Sequence, residues 1–412
     1  MTPIFRTLLP LTAAGAVLVA SCGLGGCAPR STGVQARKEA TARFNQTTSL
    51  VSYDQAKQAF ESGDLEVAQR EVEKALARSD KEAKYWALLG RIELESKRLE
   101  RAVASFGRAI ECDPNFAESY YFRAIVYQRW SEREKAIADY RKAADLAPDK
   151  VNYLLAAAEL MVAARQLDDA RTVLLSKLAY FEHNPALHEL LGDIATLDGD
   201  PSTAARSYER ALVIDPDAPM LAEKTMEAYF NASEWQRCLD SARRQRERAE
   251  IAADGREKAT LPRAALRYEG RSLLMLGRPT DARAIFTEHT REYPEDVEAW
   301  IDLANVSLEL ADLPRAEAAA DRAISLAQAD ARGYLTRGMI ESARGKSQQA
   351  LEFLRQAFER APKDTEVAVS YGLALRSVGR NAEAQVILSE ALKADPDSEL
   401  AKQAFAAGSL QE

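Results

Sequence analysis

The chain has little of what most enzymes work with. Its 412 residues include 3 histidines and 4 cysteines. His183 and His188 are five apart, off any common helix face, and no acidic motif joins them, which excludes a two-histidine metal site. Gly345, Lys346 and Ser347 end like a phosphate-binding loop, yet Ile340 stands where its first glycine belongs and the preceding pattern is helical. No clustered nucleophile, base or metal set remains, and no cofactor is implied. An excess of positive charge is also missing. With 63 acidic against 55 basic side chains the formal charge is -8, so the chain repels phosphate backbones and nucleic acid is excluded as a partner. Aromatic residues are only 7% while apolar ones reach 47%, because alanine supplies much of the apolar share. No apolar run is long enough to cross a membrane: the best, Leu8 to Ala20, is broken by Pro10 and falls short of the roughly 20 residues required.

That short run has a different use. Arg6 before it and small residues after it make the pattern of a secretory signal. Val19, Ala20 and Ser21 precede Cys22, and the segment resembles the lipobox of bacterial lipoproteins. The resemblance implies cleavage before Cys22 and acylation of that cysteine, with Cys27, after Leu24, Gly25 and Gly26, as a second candidate. A secretory signal cut near Ala20, leaving a soluble chain, is the alternative. Each buried methylene contributes ~0.8 kcal/mol, so two or more acyl chains attach a protein stably to a membrane. Gly23, not aspartate, follows Cys22, which by resemblance to enteric sorting rules points to the outer membrane facing the periplasm. Residues 22–48 are short of large apolar side chains and read as a flexible tether, whose Arg30, Arg37, Lys38 and Arg43 suit either anionic headgroups or plain solvation.

Everything after the tether is periodic. From Ala83 to Phe116, Trp86, Leu89 and Gly90 open one amphipathic pattern, Ala102, Phe106 and Ala109 line a second, and Pro114 closes the segment. After a step of 34 residues Tyr120, Ala124, Tyr127, Ala136, Tyr140, Ala143 and Pro148 repeat the scheme. This spacing resembles the tetratricopeptide repeat (TPR), a helix-turn-helix unit, which implies an all-α, right-handed superhelical solenoid that holds other proteins. Repeats start at 49, 83, 117, 151, 185, 219, 263, 297, 331 and 365, giving 49–252 as repeats one to six, 253–262 as an insertion, and 263–398 as repeats seven to ten. Residues 399–412 read as a capping helix and tail, with Leu400 and Phe405 covering the last pair while Glu399, Lys402 and Gln403 face water.

Numbering positions within each repeat shows which slots do the packing. Position 8 is alanine or glycine except at Met226, and position 20 is alanine except at Cys238. Small residues there let paired helices approach to about 8–10 Å, and bulky residues at positions 4, 7, 11 and 24 fill the spaces beside them. Glycines at position 15 suit a left-handed turn, and prolines at position 32 end helices. Cys112 and Cys238 lie four repeats apart, on the order of 30–40 Å, too far for a disulfide, and read as structural thiols. His289, at a slot usually alanine, reads as a packing residue. The sixth repeat is degenerate: Thr225, Met226, Gln245 and Glu250 break the pattern before Arg243, Arg244, Arg246 and Arg248 lead into the insertion. A solvated, lengthened helix and a hinge or protrusion are both consistent with it.

By the resemblance, the first helix of each repeat lines a concave groove. Positions 2, 5, 9, 12 and 13 share one helix face, away from the packing slots. Along that face repeats one to three offer Tyr53, Lys57, Phe60, Arg91, Tyr121 and Arg129; repeats four to six offer Glu159, Glu189, Asp193, Glu223, Glu227 and Phe230; repeat seven offers Arg267 and Arg271. An acidic patch for a basic or extended peptide, with aromatic anchors, is one reading of this pattern and a solvated charged face the other. The carboxylate clamp of chaperone adaptors is missing, since the only asparagine at position 9, Asn305, lies above Ile301 instead of lysine. The expectation is a non-enzymatic, membrane-anchored envelope lipoprotein that scaffolds a pilus, secretion, outer-membrane or polysaccharide-export assembly through protein or peptide partners. A soluble adaptor, and more remotely an enzyme with a cryptic site in the groove, are the alternatives.

Overall fold

Residues 33–253 and 260–409 are described by a computed structural model, and all regular structure among them is α-helical. The signal segment, Cys22 and Cys27 lie outside the described residues. Ten helix pairs follow one another. They are α1 (Gly33–Glu61) with α2 (Leu65–Arg78), α3 (Ala83–Glu95) with α4 (Leu99–Cys112), α5 (Ala117–Arg129) with α6 (Arg133–Leu146), α7 (Val151–Ala163) with α8 (Leu167–Lys177), and α9 (Pro185–Leu197) with α10 (Pro201–Ile214). The rest are α11 (Pro219–Asn231) with α12 (Trp235–Ala252), α13 (Arg263–Met275) with α14 (Pro279–Glu292), α15 (Val297–Glu309) with α16 (Leu313–Leu326), α17 (Ala331–Ala343) with α18 (Ser347–Arg360), and α19 (Thr365–Ser377) with α20 (Asn381–Ala394). A last helix, α21 (Glu399–Ser409), closes the series. The described residues form two compact bodies, divided between Val126 and Tyr127 inside α5.

The small residues at position 8 have a single cause in both bodies. A methyl group on Gly90 would sit 2.6 Å from the Phe106 ring, on Gly192 2.4 Å from Tyr208, and on Gly270 2.3 Å from Phe286. Each partner is at position 24 of the same repeat, so the second helix presses a large side chain onto the bare backbone of the first. At Ala158 the position-24 partner is Leu174, smaller than those rings, and both are wholly buried. Between the helices of all ten repeats, position 15 takes a left-handed backbone, with φ from +56° to +83°. Five of these residues are glycine; Lys97, Ser131, Arg165, Ser233 and Ala311 adopt the same conformation with a Cβ. Position 4 joins consecutive repeats: Trp86 Nε1 donates to the Asp80 carbonyl, Tyr120 to Pro114, and Trp300 to Pro294, all at position 32 of the repeat before. His188 holds the same slot and contacts the Glu182 carbonyl at 2.8 Å, so it is a structural stand-in for these aromatics.

Two expectations are corrected. Residues 33–48, expected as flexible tether, are the first half of a 29-residue helix continuous with the first repeat. No proline or glycine follows Gly33 until Gly63, so a helix nucleated by the packed residues Ser52 and Ala56 propagates backward without a stop. The C-terminal cap is built from different residues. Ala401 and Ala404 are the buried pair, packed with Ala368, Val369, Leu388 and Ala391, while Leu400 is 48% exposed and only Phe405 reaches the cluster. Small residues are needed there because α21 repeats the close approach of the helices before it. The sixth repeat has the lengthened helix that the sequence left open, α12 with 18 residues, and its inner side is packed. Ala211, Met226, Tyr229, Cys238, Ala242, Ala265 and Tyr268 form one buried cluster that runs past the insertion. The arginines of α12 are used within it: Arg243 and Arg246 donate to Glu269, Arg246 also to Glu288, and Arg248 to the Pro216 carbonyl. Tyr293 Oη donates to the Leu261 carbonyl at 2.6 Å and Arg263 forks onto Asp296, pinning the chain as it leaves the insertion.

Candidate functional site

The face singled out from the sequence is that of the odd-numbered helices, and its side chains are largely engaged with one another. In the N-terminal body Arg91 lies flat between the rings of Phe60 and Phe122, 4.8 Å from each, and donates to Glu118 at 3.0 Å. Tyr53 packs at a tilt against Tyr85, ring centres 4.9 Å apart, with the Lys84 ammonium over it, and Tyr121 meets Phe122 edge-on. Lys57 is exposed and reaches Glu61 at 3.7 Å. In the C-terminal body Arg129, Glu159 and Glu227 are exposed. Phe230 is half-buried against Trp235 and Tyr268, which makes it part of the packing of the sixth repeat.

A regular rung emerges from these contacts. Position 9 of one repeat meets position 6 of the next, 31 residues on: Arg91 with Phe122, Asp193 with Lys224, Arg271 with Asp302, and Asn305 with Thr336. The chemistry differs at each rung and the charge order reverses between the second and third, yet the pairing holds. Arg91 and Arg271 at position 9 also both reach a glutamate at position 2 of the next repeat, Glu118 and Glu298.

The rung at Lys224 changes the electrostatics of the acidic stretch. Its ammonium lies 2.8 Å from both Glu189 and Asp193, between two carboxylates that the sequence presents as an open patch. Burial opposes its charge, but the hydrogen bonds to Asp193 and Glu189 outweigh that and hold the lysine above its ordinary pKa. Glu223 is likewise paired, with Arg267 at 3.0 Å, and Arg271 is bound by Asp302 and Glu298. Burial pushes the Asp302 carboxyl up to about 6 against the pull of Arg271. Tyr208 extends the Lys224 group by donating to Asp193 at 2.7 Å, with Thr196 3.1 Å from its hydroxyl.

Beside this group is a cavity of about 710 Å³. Val162 of α7, Leu197 of α9, Pro201 and Tyr208 of α10, and Ala228 of α11 form its apolar wall, and Glu227 and Asn231 stand at its edge. Further along the C-terminal body the face changes character. Position 5 becomes Ile301, Leu335 and Val369, all buried, while Met339 and Leu373 at position 9 leave apolar surface exposed.

Repeat profiles match this geometry. Residues 53–116, 155–219 and 268–331 match one tetratricopeptide repeat family model, and 117–150 and 342–407 match two others. The chain belongs to the tetratricopeptide repeat family. No curated protein sequence matches it. Among solved structures it is similar to the Cut9–Hcn1 hetero-tetramer of the APC/C, at 11% identity and TM-score 0.44 over 90% of this chain and 98% of that one. It is also similar to a TPR protein of Parabacteroides merdae, at 14% identity and TM-score 0.39 over 80% and 99% of the two chains. A thermophilic TPR protein of Thermus thermophilus matches at 18% identity and TM-score 0.37 over 55% and 99%. TPR membership supports a protein–protein interaction scaffold. The sequence reading of this TPR face missed Lys224 and Asp302, because position 6 was counted with neither the groove nor the core. Opposite charges 31 residues apart, Asp193 with Lys224 and Arg271 with Asp302, were the available signal.

Proposed function

We propose that this TPR chain is a non-catalytic scaffold that holds protein partners against the open first-helix face of repeats four to seven. The observation that supports the reading is the apolar cavity beside the Lys224 group, where exposed Glu227, Asn231 and Leu197 surround a surface that no other described residue covers. Family membership supports the general role and the resemblance of residues 19–22 to a lipobox supports its place. In this reading acyl chains on Cys22, or on Cys27, attach the protein to the bacterial envelope, on the outer membrane facing the periplasm. There it serves an assembly such as a pilus, a secretion system, outer-membrane insertion or polysaccharide export.

Two measurements test it. Metabolic labelling with a fatty-acid analogue marks the chain and loses the mark on Cys22→Ser; label that persists there and vanishes on Cys27→Ser moves the anchor, and label in neither case removes it. Formaldehyde capture from the native membrane recovers partners with the unaltered chain and loses them when Glu227→Arg and Asn231→Arg are combined. Undiminished recovery from that double variant contradicts the assigned face.

A further inference from the structure

We propose that the cavity between α7, α9 and α11 receives a large apolar side chain of an extended partner segment whose neighbouring residue is a lysine or arginine. This rests on the scaffold reading and adds the chemistry of what is held. The volume of about 710 Å³ falls within the roughly 300–1,000 Å³ of ordinary ligand sites, room for an aromatic or branched side chain with part of its backbone.

The wall and the rim select different things. Val162, Leu197, Pro201, Ala228 and the Tyr208 ring supply carbon surface. The polar atoms in the wall are already satisfied: Lys224 donates to Glu189 and Asp193, and Tyr208 donates to Asp193. An apolar guest therefore strands no buried charge, whereas a charged guest finds no partner left at that depth. At the rim the balance is unequal. Glu227 borders the cavity, is exposed, and has no ion pair among the described residues. Glu159 lies one turn before Val162 on α7, is exposed, and is also unpaired among the described residues. Glu189 and Asp193 are paired with Lys224, so the unpaired acidic charge at the rim is that of Glu227. A cationic residue beside the inserted side chain relieves this excess, and an acidic one meets repulsion. The amide of Asn231, exposed at the same edge, can bond the segment's backbone.

The test uses the purified full chain and fluorescein-labelled 12-residue glycine–serine peptides with a central Phe-Arg, Phe-Glu or Ala-Arg pair, read by fluorescence anisotropy. Phe-Arg is expected to bind at least tenfold more tightly than either of the others. Glu227→Arg is expected to invert the order of Phe-Arg and Phe-Glu, and Leu197→Asp to weaken both phenylalanine peptides at least tenfold. Both residues are exposed, Leu197 at 45%, so unchanged circular-dichroism melting accompanies the effects. Equal affinity for Phe-Arg and Phe-Glu, no binding of any peptide, or indifference to both variants overturns the proposal. If partner capture from the membrane survives Leu197→Asp while the peptides fail to bind, the cavity assignment falls and the scaffold reading stands; if capture is indifferent to Glu227 and Asn231 as well, both fall.

Discussion

At the scale of single residues, the fold depends on contacts in which one atom more is too many. Gly270 lies under Phe286, and the 2.3 Å approach of an added methyl forces that ring aside. Gly270→Ala is expected to lower stability by about 1–3 kcal/mol in denaturant melts. Adding Phe286→Leu recreates the alanine–leucine pairing of Ala158 with Leu174 and should recover part of the loss. Position 15 gives the opposite sign. Ala311 holds φ +56°, a conformation that costs an L-residue roughly 1–2 kcal/mol, so Ala311→Gly is expected to raise the melting midpoint, and a lowered midpoint contradicts the strain. His289 supplies a pH dependence. It is fully buried with Nε2 3.1 Å from Asp296. Burial, opposed by Asp296 and reinforced by Arg263 and Arg267, pushes its pKa down to about 4. The unfolded chain protonates this ring near pH 6.5 while the folded one does not, so its contribution is intact above pH 6.5 and is lost as pH falls toward 4. Between pH 7 and 4.5 the unaltered chain should lose about 2–3 kcal/mol more than His289→Gln, by denaturant titration at both pH values. The packing residues were legible because their spacing repeats ten times; the titration of His289 was not, since it depends on Asp296 and Arg263 arriving beside it from a neighbouring turn and helix.

Helices were legible where pattern and punctuation agree. The ends of α3 to α7, α9 to α11 and α13 to α20 follow from the 34-residue phase, from position 15, and from capping aspartates such as Asp200, which accepts from the Thr203 N–H, whereas α8 stops three residues short of that phase. The misread helices are those at the margins of the pattern. In α1 the absence of large apolar residues over 33–48 suggested a tether, but composition reports what can be buried and not what can continue a helix already begun. In α12 the degenerate repeat left a lengthened helix and a hinge both open and hid the use of its arginines, because ties to Glu269 and Glu288 leave no periodic trace. In α21 the large residues Leu400 and Phe405 drew attention from the alanines that meet the last pair. Deleting residues from Glu399 onward uncovers Ala368 and Leu388 and removes the acceptor of Arg376 at the Ala404 carbonyl. Hydrogen exchange of α19 and α20 is then expected to quicken while that of α15 and α16 holds. Exchange unchanged in α19 and α20 contradicts a capping role.

On the scale of the whole chain, what varies between repeats is the first-helix face. Its charges were readable one by one, and their pairing was not, because each rung joins position 9 to a position 6 in the next repeat. Once Lys224 is set between Glu189 and Asp193, those two carboxylates are paired, and Glu227 is left as the exposed carboxylate beside the apolar cavity. The measurement that bears most directly on the scaffold is in-cell photo-crosslinking from a benzoylphenylalanine placed singly at Asn231, on the first-helix face, or at Val213, which is 65% exposed on the second helix α10. A protein adduct from Asn231 and none from Val213 is the expected result. Adducts from Val213 alone, or from neither position, would contradict the claim that partners are held on the first-helix face.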